Sequence, residues 1–306
     1  MFHLWQILGT SLQGESAIDL FNHAPDYRIE NRLHRISLMT LYFAPVGDIE
    51  IAYMVDGPRS APAVLMGHCF CADQRFWGPH LAACEGFRTI RFDTRGHGQS
   101  GRSDGPYSLA QIALDVVGLM DHLELRQAHY VGVSMGGMVG QTLGIEYPKR
   151  LLSLTLLNTT PRYSDAQRDL WRERADAVLA HGIEPIHGDL MRRWFTDEAL
   201  AADLPGVRYI AEVVRTFDRR SFASVTAAMC ELNTVDCLPA ISAPTLVVAA
   251  PDDPGVPRDV SEMLSNRIPD ASLHWLHPAR HLASLEHPDV FNGLLRAHLA
   301  AWPRRN

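Results

Sequence analysis

Short apolar segments recur along the chain from residue 41 onward, and most are followed by a stretch with apolar residues every three or four positions. The short runs have the length of buried β-strands, and the longer period is that of an amphipathic helix. The predicted strands are residues 41–44, 49–53, 63–67, 87–93, 129–133, 151–157, 245–250 and 272–276, with the first two forming a hairpin. The predicted core helices are residues 76–84, 109–123, 137–147, 256–266 and 290–300. This alternation predicts an α/β fold, with a mostly parallel central sheet and helices on both faces.

The alternation stops between residues 161 and 236. Here helical, arginine-rich segments follow one another without a strand-like run between them, at residues 165–181, 186–195, 204–217 and 222–232. We therefore predict an inserted helical cap at residues 161–236 and a core formed by residues 41–160 and 237–306. Residues 1–40 show no clear period and are interpreted as an N-terminal extension, which fits an appendage, the arm of a homodimer or a wrongly chosen start codon.

The predicted strand at residues 129–133 ends at a serine flanked by glycines and leads directly into a helical segment. Gly132, Ser134 and Gly136 form the pattern G-x-S-x-G, which places a serine on a strained turn between a strand and a helix. Side chains at the two glycine positions would collide with the turning backbone. The N–H of Met135 starts the helix and can donate to an anion that forms beside Ser134. Alone, the pattern fits either a nucleophilic serine or a glycine-rich turn ahead of a packed helix.

A serine hydroxyl needs a general base, and that base needs an acidic group that orients it and stabilises its cation. The loops after the last two predicted strands offer Asp252 and Asp253 in one, and His277 and His281 in the other. We favour Asp253 because it comes later in its turn, and His281 because it precedes a helical stretch, whereas His277 precedes a proline. Along the chain the serine comes first, the aspartate second and the histidine third, which is the order found in one known fold that carries a catalytic triad. We therefore predict a triad of Ser134, Asp253 and His281.

The loop after the third predicted strand is expected to supply a second donor to the oxyanion, and we assign the backbone N–H of Phe70. The same loop offers His68, Cys69 and Cys71 as metal ligands. Ligands so close in sequence would be crowded, and no fourth ligand is evident. We therefore expect no metal and no cofactor.

A second polar loop, glycine-rich and directly after a predicted strand, contains Asp93, Arg95 and His97. These residue types could take part in chemistry. A loop with so many glycines, however, needs side-chain hydrogen bonds to hold its shape. We therefore predict a structural role for these three side chains.

The composition of the chain limits the kinds of protein that it can be. The chain has 306 residues, 46% of them hydrophobic and 21% charged, which suits one α/β domain with an insertion. A formal charge of −7 disfavours a nucleic-acid partner. The five cysteines form an irregular set that favours a reduced, cytoplasmic protein, and no apolar run suggests a membrane span or a secretory signal. The expected partner is a small-molecule substrate.

Taken together, these motifs resemble the α/β-hydrolase superfamily over residues 41–302, and within it the 3-oxoadipate enol-lactonases. The segments that carry the closer resemblance are DQRFW at 73–77, RFDTRGHGQS at 91–100, GVSMGGMVGQ at 132–141, LNTT at 157–160, RWFT at 193–196 and ARHLASLEHP at 279–288. Two positions differ from that family. Its oxyanion loop usually begins Asn-Ser-Leu-Gly where this chain has residues 68–71, and Arg280 occupies a position that is usually small, so both are expected to reshape the pocket.

The resemblance implies that a serine-dependent enzyme opens a small lactone or carboxylic ester through an acyl-enzyme, with Phe70 and Met135 as oxyanion donors. From the cap, Trp194 and Phe195 are expected to form pocket walls and Arg193 to bind a substrate carboxylate. Other functions on the same triad stay open: a different carboxylesterase, a homoserine-lactone lactonase, a cofactor-free perhydrolase or a carbon–carbon bond hydrolase. A non-catalytic ligand receptor is a further alternative of a different class.

Overall fold

The fold is centred on an eight-stranded sheet, and the computed structural model describes it within residues 40–302. The strands are β1 (Tyr42–Val46), β2 (Ile49–Asp56), β3 (Ala63–Gly67), β4 (Arg88–Phe92), β5 (Ala128–Val133), β6 (Leu151–Leu157), β7 (Thr245–Ala249) and β8 (Ala271–Trp275). Their order across the sheet is β1-β2-β4-β3-β5-β6-β7-β8. β2 runs antiparallel to both of its neighbours and the remaining pairs are parallel. The predicted mostly parallel sheet is confirmed.

The burial of each strand accounts for its pattern of apolar and polar residues. β3, β5 and β7 are buried at every position, which matches their mostly apolar sequences. β4 is also buried at every position, although it contains Arg88 and Arg91. The edge strands β1 and β8 instead alternate between more and less exposed positions. The strands from β3 to β8 point the same way, so their carboxyl ends meet at one edge of the sheet, where loops gather functional side chains in such folds.

Ten α-helices are described within residues 40–302. They are α1 (Leu109–His122), α2 (Met135–Glu146), α3 (Asp165–His181), α4 (Glu184–Trp194), α5 (Asp197–Ala201), α6 (Pro205–Arg215), α7 (Arg219–Cys230), α8 (Arg258–Arg267), α9 (Ala283–Glu286) and α10 (Pro288–Ala301). α3 to α7 follow one another between β6 and β7, where the cap is predicted, and the exact domain bounds stay a prediction. None of the described helices is both long and apolar enough to cross a membrane.

Two local predictions differ from the structure. The segment predicted as a helix at residues 76–84 is a 3₁₀ helix, Gln74–Cys84, with Pro79 inside it, a residue that cannot donate a backbone hydrogen bond. The hairpin turn is shorter than predicted, because Val46 pairs directly with Ile49 across a two-residue turn whose Gly47 has a positive φ of 55°. Predictions about residues 1–39 lie outside the described residues.

Candidate active site

Ser134 stands on the turn between β5 and α2. Its backbone has φ 53° and ψ −112°, a conformation that residues other than glycine rarely adopt. A Cβ added to Gly132 would lie 2.2 Å from the carbonyl oxygen of Gly136, and one added to Gly136 would lie 2.2 Å from that of Gly67. The backbone N–H of Ser134 donates to the carbonyl of Leu157 at 2.8 Å, which ties the turn to β6. The predicted steric reason for both glycines is therefore confirmed.

The imidazole of His281 bridges Ser134 and Asp253. Its Nδ1 lies 2.7 Å from Asp253 Oδ2, and its Nε2 lies 2.8 Å from Ser134 Oγ. A carboxylate can only accept, so Nδ1 carries the proton and donates it, which leaves Nε2 to accept from the serine hydroxyl. The ring therefore has the tautomer that a general base for Ser134 requires.

Asp253 is held in a fully buried position by four donors. Its side chain is 0% exposed. Oδ1 accepts from the backbone N–H of Gly255 at 2.7 Å and of Val256 at 3.2 Å, while Oδ2 accepts from Asn158 Nδ2 at 3.1 Å as well as from His281. These bonds compensate the carboxylate for its lost hydration, which would otherwise make burial of a charge costly.

The two alternatives considered from the sequence lie apart from this arrangement. Asp252 Oδ2 lies 2.9 Å from His277 Nδ1, so the two residues pair with each other. Their side chains are 57% and 62% exposed. The structure thus brings Asp253 and His281, and not Asp252 and His277, to Ser134.

The two backbone groups assigned to the oxyanion lie next to the serine. Met135 is the first residue of α2, so its N–H has no acceptor within the helix. Phe70 lines the cavity that contains Ser134. Among residues 40–302, neither of these two N–H groups has a hydrogen-bond acceptor. Both are therefore available to an anion beside Ser134.

The histidines and cysteines near this loop are engaged in structural bonds. His68 donates from Nδ1 to the carbonyl of Cys69 at 2.8 Å and accepts at Nε2 from the N–H of Thr94 at 3.0 Å. His97 Nε2 accepts from the N–H of Cys71 at 3.3 Å. Burial raises the pKa of both cysteine thiols, whereas a metal ligand must be a thiolate. Within the described part of the chain, no group of three or more His, Cys, Asp or Glu side chains could hold a metal ion.

The neighbouring polar loop is held in the same way. Asp93 accepts from the backbone N–H of Gln74 at 2.7 Å and of Gln99 at 2.8 Å, so it joins the loop to the 3₁₀ helix. Arg95 donates from Nε to Asp115 at 2.5 Å, and both side chains are buried. These contacts agree with the structural role predicted for Asp93 and Arg95.

A narrow cavity of about 30 Å³ lies between Ser134 and the α3–α7 helices. That is space for about two water molecules. The lining residues from this helical region are Tyr163, Gln167, Leu170, Trp171, Arg193, Trp194 and Met229. Arg193 and Trp194 were predicted, whereas Phe195 is fully buried and does not line the cavity. From the sequence, Tyr163, Gln167 and Trp171 were not identified as lining residues. Gln167 and Trp171 are four residues apart on α3, a spacing typical of one helix face, whereas Tyr163 precedes the helix.

Residues on both sides of His281 are bonded to the corner between α4 and α5. Arg280 does not line the cavity, contrary to expectation, and its Nη1 donates to three oxygens of that corner: Arg192 O at 2.6 Å, Phe195 O at 3.0 Å and Asp197 Oδ1 at 3.2 Å. Leu282 N donates to Trp194 O at 3.0 Å. Glu286 accepts from the N–H groups of Arg280 at 2.8 Å and Thr196 at 3.0 Å. The loop that carries His281 and this corner therefore form one bonded unit.

Comparisons with known proteins agree with the observed fold. A model of the α/β hydrolase fold matches residues 62–288. 3-Oxoadipate enol-lactonase 2 of Acinetobacter baylyi is 31% identical over 251 residues, which is 82% of this chain and 93% of the relative. A protein of Variovorax paradoxus, named provisionally as the carbamate hydrolase RutD, is 33% identical over 261 residues, which is 81% of this chain and 95% of that protein.

A solved structure supports the same fold family. The crystal structure of the enol-lactonase from Burkholderia xenovorans LB400 aligns with a TM-score of 0.81 at 30% identity, covering 85% of this chain and 100% of that one. With the family model spanning Ser134, Asp253 and His281, the chain belongs to the α/β hydrolase fold family.

Proposed function

We propose that this protein is a serine hydrolase that opens a small lactone or carboxylic ester through an acyl-enzyme on Ser134. The observation that carries the proposal is the bridging position of His281, within 2.8 Å of Ser134 Oγ and 2.7 Å of Asp253 Oδ2. The similarity to two proteins named as enol-lactonases supports the same class of reaction.

In the first half of the reaction, His281 Nε2 takes the hydroxyl proton of Ser134 as Oγ attacks the substrate carbonyl carbon. The imidazolium that forms is stabilised by Asp253, which keeps its negative charge. His281 then returns the proton to the leaving oxygen as the carbon–oxygen bond breaks. For a lactone, that oxygen stays on the same chain as the acyl group, so the ring opens while the chain remains bound to Ser134.

In the second half, His281 takes a proton from water, and the hydroxide that forms attacks the acyl carbon. The carbon–oxygen bond to Ser134 breaks, and the proton returns to Oγ. In both halves the negative oxygen is held by the N–H groups of Phe70 and Met135. A donor of this kind contributes roughly 3–4 kcal/mol to the stability of the transition state in related enzymes.

The cavity also favours a substrate that carries a carboxylate. Arg193 lines it, and among the described residues no carboxylate lies within ion-pair distance of its guanidinium. Its Nη2 donates one long hydrogen bond, of 3.4 Å, to the carbonyl of Pro254. A guanidinium without an acidic partner can bind a carboxylate with two parallel hydrogen bonds. We therefore propose a lactone or ester of a small acid, with Arg193 as the carboxylate-binding residue and Trp194 as a pocket wall.

A second candidate reaction is carbamate hydrolysis. It is favoured by the 33% identity to the protein named as RutD, and it would use the same three side chains. The two reactions are distinguished by a substrate panel containing enol-lactones, acyl-homoserine lactones, aryl esters and carbamates, with peracid formation measured in parallel.

The test of the proposal compares Ser134→Ala with Ser261→Ala on the best substrate of the panel. Ser261 is also buried but does not line the cavity, so its variant controls for general effects of removing a buried hydroxyl. We expect Ser134→Ala to lower kcat by at least about 10³-fold and to abolish labelling by an organophosphonate. Wild-type turnover or labelling in Ser134→Ala would refute the proposal.

A further inference from the structure

The Tyr163 side chain occupies a fixed place in the wall of the cavity. It is 7% exposed and lines the same cavity as Ser134. On one side of it, Arg162 forms a β-bridge with Asn233, and on the other side Ser164 caps α3 with a reciprocal capping box. The backbone on both sides of Tyr163 is thus bonded into the structure, which limits the positions its hydroxyl can reach.

The hydroxyl group has a neighbour that cannot take its proton. Trp171 also lines the cavity, and its side chain lies close enough to Tyr163 to act on the phenol. An indole N–H can only donate, so it does not accept the hydroxyl proton of Tyr163. Among residues 40–302, no carbonyl, carboxylate or other acceptor takes that proton in a hydrogen bond. The proton is therefore available to a molecule that enters the cavity.

The surroundings keep this group a neutral donor. Burial raises the pKa of the Tyr163 phenol, the nearby Cys230 and Asp253 raise it further, and Arg193 opposes them only in part. The phenol therefore stays protonated near neutral pH. Its neighbours in the wall include the apolar side chains of Leu170 and Met229. A donor in such a wall loses its hydration without compensation when an apolar group is bound against it.

We infer that Tyr163 determines substrate specificity by donating a hydrogen bond to an oxygen of the acyl chain, separate from the reacting carbonyl. The inference rests on the proposed function, because it requires an acyl group on Ser134. The acyl chain stays attached to that serine through both halves of the reaction, so one contact to it acts in both. The substrates selected in this way carry a keto, ether or carboxylate oxygen a few atoms beyond the reacting carbonyl, and plain alkyl esters are disfavoured.

The test uses two p-nitrophenyl esters that share a leaving group and differ in one position, the 4-oxopentanoate and the pentanoate. The measured quantity is the ratio of their kcat/KM values, compared between wild type and Tyr163→Phe. We expect this ratio to fall on the order of tenfold in the variant, because the keto ester loses its donor while the alkyl ester is hydrolysed as well as before. Intrinsic differences in reactivity between the esters cancel in this comparison.

Tyr209→Phe is the matched control. The Tyr209 hydroxyl bonds to Asp73 and does not line the cavity, so its loss should leave the ratio unchanged. Trp171→Phe is a second variant that keeps the Tyr163 hydroxyl but removes the indole N–H beside it, and we expect a smaller fall in the ratio. It also keeps the test decisive if Tyr163→Phe does not fold.

The two proposals fail in different ways. An unchanged ratio in Tyr163→Phe, or an equal loss for both esters, would overturn the role of Tyr163 while leaving Ser134 as the nucleophile. If Tyr163→Phe does not fold, an unchanged ratio in Trp171→Phe would overturn it. Retained hydrolysis of both esters by Ser134→Ala would instead overturn the proposed function.

Discussion

The exchange of aspartate for asparagine at two adjacent positions tests the proposed triad sharply. Asp253 and Asp252 each pair with a histidine, at 2.7 Å and 2.9 Å, so the two contacts are almost equal in length. They differ in burial, since the Asp253 side chain is 0% exposed and that of Asp252 is 57% exposed. Asp253→Asn and Asp252→Asn therefore remove the same charge next to the same residue type in two different environments.

The structure sets the size of the expected effects. An asparagine at 253 can keep its oxygen toward the N–H groups of Gly255 and Val256, which turns its NH₂ group toward His281 Nδ1. Nδ1 must then accept, and the imidazole proton moves to Nε2, where it blocks acceptance of the Ser134 proton. The same exchange in a chymotrypsin-type triad lowers kcat by ~10⁴-fold, and we expect a loss of that order.

For Asp252→Asn we expect kcat/KM within about twofold of wild type, because Asp252 contacts His277 and not His281. Loss of such an exposed contact should cost at most about 1 kcal/mol of stability. The assay is steady-state hydrolysis of the best ester or lactone near pH 7, with thermal unfolding of each variant to show that both are folded. Equal activity of the two variants, or a greater loss in Asp252→Asn, would refute the assignment of Asp253.

Two further predictions concern the turn and the core. Gly136→Ala should abolish activity and lower stability, because the added Cβ would lie 2.2 Å from the carbonyl oxygen of Gly67. Gly293→Ala should be tolerated, because no heavy atom lies within 4 Å of the added Cβ. Equal melting temperatures of the two variants would contradict this prediction. Burial lowers the pKa of His80 to about 4 from its ordinary 6.5. Between these two pKa values the unfolded chain binds a proton that the folded chain does not, so His80 by itself should lower the unfolding free energy by about 2 kcal/mol from pH 7 to pH 5. His129, whose pKa burial also lowers to about 4, adds to the total fall. Urea titrations should show a weaker fall in His80→Gln, and an identical fall would refute this cause.

Much of the sheet could be predicted because its inner strands are buried along their whole length. A strand such as β3 or β5 has to be apolar at almost every position, and a run of that kind is visible in a single sequence. Asp253 comes after β7, which is buried at every position, whereas His281 comes after the edge strand β8. Their positions could be predicted because both strands are parallel and end at the same edge of the sheet. The serine turn could be predicted because it leaves no space for a side chain at either glycine position, so a short sequence motif identifies it.

The cavity wall could not be predicted in the same way. Tyr163 and Trp171 face Ser134 only because the helical region folds back over the sheet, and nothing in their local sequence specifies that direction. Phe195 follows a residue that lines the cavity, yet it is fully buried elsewhere, because neighbouring positions at the end of a helix point to different sides. Contacts between elements far apart in sequence decide such positions.

Arg280 shows how far one tertiary contact can change an interpretation. Beside His281 in the sequence, a long cationic side chain is expected to narrow the pocket. Instead it reaches the carbonyl oxygens at the end of α4, where a cation is favoured by the helix dipole. Because Leu282 on the other side of His281 also bonds to this corner, displacement of the α4–α5 corner would pull on both neighbours of the proposed base. Leu170 and Met229, elsewhere in the wall, have apolar side chains that form no hydrogen bond to the loop of His281. The α4–α5 corner therefore belongs to the support of the triad as much as to the walls of the substrate cavity.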